Sequence, residues 1–266
     1  MRFPTRLISS LVGITAALAI AVPTTPSNAI VGGTNASAGE YPWMAAVYLG
    51  SPSGGQFCGG TLVRPTIVIT AAHCILGGPA PVISGVLVGR TTLNGTGGDM
   101  VPAASFVIHP AWNAALNLFD IAAIRLTRPA GGGSAPLPWA TSADASWFGA
   151  GDTATVIGWG ATSEGGAGSN ALKEATVPIV SDAGCTAAYG IQYVANQHLC
   201  AGYPQGGTDP CQGDSGGPLM VRNGAGQFIL AGITSFGVGC ARAGFPGVYS
   251  RVANLTTFID AAVLAS

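Results

Sequence analysis

Past residue 30, the apolar segments of this chain are short, rich in β-branched residues and closely punctuated. TIVIT at 66–70, GVLVG at 85–89, TATVIGW at 153–159 and FILAGITS at 228–235 are separated by clusters of Gly, Pro, Asn and Ser. Such runs cannot supply the long apolar stripe of a core helix, and their spacing predicts a many-stranded antiparallel sandwich or barrel. The period changes only at the end, where Val252, Leu255, Ile259 and Val263 recur at helical spacing. That spacing predicts a C-terminal helix over about 252–265, packed on the β body. The Gly-rich stretch RPAGGGSAPLP at 128–138 is expected to connect two halves, an ordinary surface loop being the alternative, and no internal repeat is visible.

The first residues follow a different logic. Arg2 and Arg6 precede an apolar run from Leu7 to Val22, and the small, polar segment PTTPSNA follows it. This is the order of an export signal. The run is 16 residues long and interrupted by Ser9 and Ser10, short of the roughly 20 needed to span a bilayer. Residues 1–29 are therefore expected to be removed as a signal peptide. A cut after Ala21 would instead leave residues 22–29 as a short propeptide. What remains, 30–266, reads as one secreted domain large enough for a substantial core.

Removal of the two leader arginines leaves 8 basic residues against 11 acidic ones. So weak a balance gives no footing for nucleic acid or an anionic membrane. Six cysteines in an exported chain predict three disulfides, although the count leaves their pairing open. None forms a CxxC pair, so no zinc site is expected.

The strongest chemical signal is GTDPCQGDSGGP at 207–218. Glycines on both sides of Ser215 let the backbone turn tightly and leave the amides of Gly213 and Ser215 free to face a developing oxyanion. A serine hydroxyl needs a base. TAAHC at 70–74 offers His73 at the end of a β-branched strand, and FDIAAIRL at 119–126 offers Asp120, leading into an apolar strand, to hold the imidazole. His109 and His198 read as structural, and Asp99, Asp144, Asp152, Asp182 and Asp260 as surface or capping residues.

In register with these stand IVGG at 30–33, GWG at 158–160, SFG at 235–237 and PGVY at 246–249. The sequence resembles the trypsin-like serine proteases of the chymotrypsin family, over essentially all of 30–266. The resemblance implies an all-β fold of two packed six-stranded antiparallel barrels, at about 30–135 and 136–251, with the C-terminal helix after them. It implies disulfides Cys58–Cys74, Cys185–Cys200 and Cys211–Cys240, a His73–Asp120–Ser215 triad, and an oxyanion hole at Gly213 and Ser215. It also implies protein or peptide substrates, susceptibility to protein inhibitors, a monomer, and no cofactor. A noncatalytic homologue serving as a binding module is the alternative, and such chains typically lack a triad member.

By the same resemblance Asp209 is the floor of the primary specificity pocket, which would favour Arg or Lys. Gly237 and Gly247 form its walls, and Ser235 supports Asp120. Two positions depart from the family pattern: Pro210, where a small or hydroxyl residue is usual, and Phe236, where Trp is usual. The loss of a hydroxyl at 210 is expected to weaken lysine recognition. The family's calcium loop usually carries glutamates, whereas RTTLNGTGGD at 90–99 has only Asp99, so no calcium is expected there. Ile30, once freed, would pair its ammonium with Asp214, and Ala29 stands before it in place of the usual Arg or Lys. Of the few basic residues, Lys173 after the loop GATSEGGAGSN is expected to be the most exposed to cleavage.

Overall fold

The computed structural model describes Met1 and residues 30–50, 55–76 and 83–265. The expected leader, with either of its cleavage points, lies outside the described segments. The chain enters through the two-residue strand β1 (Thr34–Asn35) and then lays down β2 (Met44–Leu49), β3 (Gln56–Arg64), β4 (Ile67–Thr70), a single-turn helix α1 (Ala72–Leu76), β5 (Ile83–Val88), β6 (Asp99–Ile108) and β7 (Ala122–Leu126). Strands β2–β7 close into a barrel in the order β2-β3-β4-β7-β6-β5, every pair antiparallel. Closure removes exposed edges, which is why short strands suffice.

The second half comprises β8 (Thr153–Gly158), β9 (Lys173–Val180), α2 (Asp182–Tyr189), β10 (His198–Ala201), β11 (Pro218–Arg222), β12 (Phe228–Phe236), β13 (Gly247–Arg251) and α3 (Thr256–Leu264). These strands run β9-β10-β13-β12-β11-β8, and a β8–β9 pairing closes the second six-stranded barrel. The four apolar runs named from sequence fall on β4, β5, β8 and β12.

The termini cross over. β1 adds to β9, in the second barrel. The C-terminal residues Val252, Leu255, Phe258 and Ile259 join a core cluster that includes Leu62, Val68 and Ile124 of the first barrel, and α3 packs on β4. The C-terminal end of the joint is pinned to both barrels, with the Leu137 amide donating to Leu62 at 2.8 Å and the Ala140 amide to Leu230 at 2.9 Å. The helical spacing at the end divides into a 3-10 turn over Val252–Asn254 and α3 from Thr256.

Three disulfides join Cys58 to Cys74, Cys185 to Cys200 and Cys211 to Cys240. Three of the carboxylates read as surface or capping groups have clear partners. Asp144 closes a capping box with Thr141, Asp152 accepts from the Gly149 amide, and Asp182 pairs with Arg251.

One expectation fails. Lys173 is only 5% exposed, because it opens β9 between Asn35 of β1 and Gly158 of β8. The preceding loop does not carry it into solvent; strand pairing on both sides does the opposite. Of the exposed arginines, Arg64 and Arg128 precede proline and Arg222 ends strand β11, whereas Arg242 lies in the turn before β13. Brief digestion of the native chain with an arginine- and lysine-specific protease should therefore cut first after Arg242 and spare Lys173. Terminal sequencing of the first fragments checks this, and an early new end at Glu174 would overturn it.

Candidate active site

His73 lies on α1, three residues past the end of β4, instead of at the strand end that the sequence suggested. The turn brings both its amide and its ring to one carboxylate. The His73 backbone N–H donates to Asp120 Oδ1 at 3.0 Å and Nδ1 sits 2.8 Å from Oδ2. With Nδ1 carrying the proton, Nε2 is left with a lone pair for use as a base. Asp120 has no exposure. A buried carboxylate must be fully satisfied, and the second barrel completes its shell. Ser235 Oγ donates to Oδ2 at 2.5 Å, and Ser250 Oγ donates to the Asp120 carbonyl at 2.9 Å.

Ser215 stands on the 211–217 loop, whose backbone hydrogen bonds can be counted in full. The carbonyls of Cys211, Gln212, Asp214 and Ser215 accept from the amides of Asp214, Ala161, Gly217 and Gly59. The Gly213 carbonyl accepts from the Gln56 side chain at 2.6 Å. Among the described residues, no acceptor takes the amides of Gln212, Gly213 or Ser215. Buried loops seldom leave N–H groups idle, and two of these three are the amides marked from sequence as oxyanion donors. Gly213 is at φ +97°, a conformation suited to glycine. The Ser215 carbonyl lies 3.6 Å from Cys74 Sγ, next in chain to His73. Among the described residues no hydrogen bond yet joins the Ser215 hydroxyl to the imidazole, and such contacts commonly tighten when substrate arrives.

Beside Ser215 opens a cavity of about 150 Å³ whose lining includes Asp209, Pro210, Ser235, Phe236, Gly237 and Gly247. Asp209 is 5% exposed. Its Oδ2 accepts from the Ala241 amide at 3.1 Å, while among the described residues Oδ1 makes no hydrogen bond of ordinary geometry, the Gly247 amide being close enough only to lower the carboxyl. Burial, reinforced by the charge of Asp214, pushes its carboxyl up to about 7. The Tyr249 hydroxyl, also lining the cavity, is likewise unpartnered. Phe236 packs edge-on against Tyr189 at 5.6 Å and His198 at 5.3 Å. His198 is a buried bridge: Nδ1 accepts from the Val194 amide and Nε2 donates to the Asn117 carbonyl, both at 3.1 Å.

Asp214 is buried behind the loop, accepting from the Gly160 amide at 2.7 Å and the Cys211 amide at 2.9 Å. Burial raises it to about 7 against those two amides. A Cβ at Gly158 or Gly160 would overlap its carboxylate, the physical reason for glycines in GWG. Ile30 is fully buried in the second barrel's core, and Val31 after it exchanges backbone hydrogen bonds with Asp209. Ile30 takes φ +51°, a costly value for a β-branched residue.

In the 90–99 loop two guanidiniums hold the exposed oxygens. Arg128 holds both oxygens of Asp99 at 2.7 Å, and the Gly131 amide adds a third bond. Arg90 donates to the carbonyls of Leu93 and Gly97.

Sequence reasoning missed Gln56, Ser250, Tyr189 and Tyr249 at the site. Tyr249 was within reach, since it ends PGVY. Gln56 carries no local signal.

Two six-stranded barrels, with a serine loop and a His–Asp pair brought to their shared cleft, define the chymotrypsin fold of serine proteases. Residues 30–259 match the family model described as Trypsin. The chain is 46% identical over 224 residues to Trypsin of Saccharopolyspora erythraea, covering 84% of this chain and 93% of that protein. It is 38% identical over 237 residues to Trypsin-like protease of Streptomyces glaucescens, covering 89% and 83%. It is 37% identical over 243 residues to Trypsin-1 of Astacus astacus, covering 87% and 99%. The chain belongs to the trypsin family and is a serine endopeptidase.

The two raised carboxyls generate a stability prediction. A carboxyl that titrates higher folded than unfolded binds its proton more tightly in the native state, so stability falls as pH rises between the two values. For Asp209 and Asp214 that window runs from about 4 to about 7. Asp99 and Glu164, lowered by Arg128 and Arg242, act the opposite way, but only below the ordinary carboxylate range. Unfolding free energies from urea titrations of a Ser215→Ala chain still joined through Ala29 should thus decline from pH 4.5 to pH 7, by roughly 3 kcal/mol per carboxyl. A flat profile would contradict the assignment.

Proposed function

We propose that this endopeptidase is exported and cleaves peptide bonds after Arg, and less well after Lys, through an acyl-enzyme formed on Ser215. The observation that carries the specificity is the unpartnered Asp209 Oδ1 on the cavity lining. A buried carboxylate oxygen without a donor is costly, and a cationic side chain is the substrate group that would satisfy it. The stem of such a side chain has room because Gly237 and Gly247 contribute no side chains. A guanidinium presents two N–H groups to a carboxylate directly. The shorter ammonium gets no help from Pro210, which has neither a hydroxyl nor an N–H.

In the reaction, Ser215 Oγ attacks the carbonyl carbon while His73 Nε2 takes its proton. The imidazolium is held by Asp120, and the oxyanion is met by the Gly213 and Ser215 amides. His73 then gives the proton to the departing amine. Water repeats the sequence to release the acid.

Activation follows from the chain's start. A cut after Ala29 would free the Ile30 amine to pair with Asp214, whose burial without a cation is expensive. Cutting also abolishes the strained dihedral at Ile30. Because Ala29 precedes the cut and no Arg or Lys does, export itself would expose Ile30, with small residues Ser27 and Ala29 serving signal peptidase.

Two measurements test the reading. Matched amide substrates should rank Arg above Lys in kcat/KM, with Phe and Ala far below, and Ser215→Ala should abolish turnover. Asp209→Ser should lower kcat/KM for Arg by roughly four orders of magnitude. An unchanged preference would place the pocket floor elsewhere. Separately, secreted Ser215→Ala protein should begin at Ile30 even in a host lacking other proteases. Recovery of a Val22 end would assign activation to a second enzyme.

A further inference from the structure

We infer that Gln56 is a positioning residue for oxyanion stabilisation. The inference rests on the proposed roles of Gly213 and Ser215 but concerns a residue outside the triad, pocket and activation pair. Of the five carbonyls in the 211–215 stretch, four are held by backbone amides, which no substitution at the donor position other than proline removes. Only the Gly213 carbonyl depends on a side chain, receiving the Gln56 Nε2 hydrogen bond at 2.6 Å. The donor comes from β3 in the first barrel, while the acceptor lies in the second. The same strand grips the loop a second time through the Gly59 amide and the Ser215 carbonyl, 2.8 Å apart.

The location matters because Gly213 is the weak point of the loop. It has no side chain and sits at φ +97°, so its peptide units can turn over at little steric cost. Rotation of the 213–214 peptide would swing the Gly213 carbonyl away from β3 and displace the neighbouring amides from the oxyanion position. The Gln56 amide opposes that rotation by offering a donor where the carbonyl must stay. Replacing it with an apolar group leaves a half-buried carbonyl unpaired, a loss comparable to the preference it enforces. An acceptor at the same point goes further, because it repels the carbonyl and attracts the Asp214 N–H of the rotated peptide.

The test compares Gln56→Met, similar in length but without a donor, and Gln56→Glu, similar in shape but with an acceptor facing the carbonyl. Three quantities are read with Arg amide substrates: kcat, KM, and inhibition by two probes. Benzamidine fills only the Asp209 cavity, whereas a peptidyl-arginine trifluoromethyl ketone forms a tetrahedral adduct whose oxyanion needs the Gly213 and Ser215 amides. Loss of one direct oxyanion donor typically costs 10²–10³ in kcat, so an indirect support should cost roughly 10- to 100-fold. Glu should be the worse variant, KM should change little, and benzamidine affinity should hold while the ketone weakens in parallel with kcat. Equal weakening of both probes, or an unaltered kcat in either variant, would overturn the inference. If Gln56→Met fails to fold, Gln56→Glu alone decides through the same ratio of probes. Failure of the wild-type chain to bind benzamidine or cut Arg substrates would instead count against the pocket assignment, a different outcome from a wild-type-like Gln56 variant.

Discussion

A carboxylate sealed from water needs donors on every side, and Asp120 obtains them from two separately closed barrels. His73 supplies its amide and ring from the first barrel; Ser235 supplies a hydroxyl from the second, where Ser250 also donates to the Asp120 main-chain carbonyl. Neither half could bury this group alone without the penalty of an unsatisfied charge. The relative placement of the barrels, the tautomer of the imidazole and the position of the serine loop therefore hang on one side chain. The hydroxyls also explain why SFG, at the end of β12, belongs with the triad signals even though it lies far from them in sequence.

Three buried aspartates show how environment divides one chemistry into different duties. Asp120 is surrounded by donors, two of them nitrogens of His73. Asp209 and Asp214 have two amides or fewer against deep burial, and both are raised to about 7. Each is thus short of a positive charge. In the proposed reading a substrate side chain supplies it to one, and the chain's own new end supplies it to the other.

Much of this was legible in the sequence because the informative features are local. β-branched runs bounded by turn residues locate β4, β5, β8 and β12, and glycines that flank a serine announce a tight loop with idle amides. What was not legible depends on pairing between distant segments. Lys173 follows a polar, glycine-rich loop, a local signal for exposure, yet two strands from elsewhere in the chain cover it. His73 was read onto a strand because four β-branched or small residues precede it, whereas the chain turns into α1 to bring two of its nitrogens to Asp120. Gln56 gave no signal at all, because its importance comes from a carbonyl 157 residues away.

The crossed termini give the molecule a mechanical character that neither barrel has separately. The entering strand is sewn into the second barrel and the closing helix is seated on the first, so each half is clasped by an end that begins or finishes in the other's territory. Severing the glycine-rich joint at 128–138 would accordingly leave an interlocked pair and not two free lobes. The cleft between the halves can then be a place where chemistry happens without being a place where the protein comes apart.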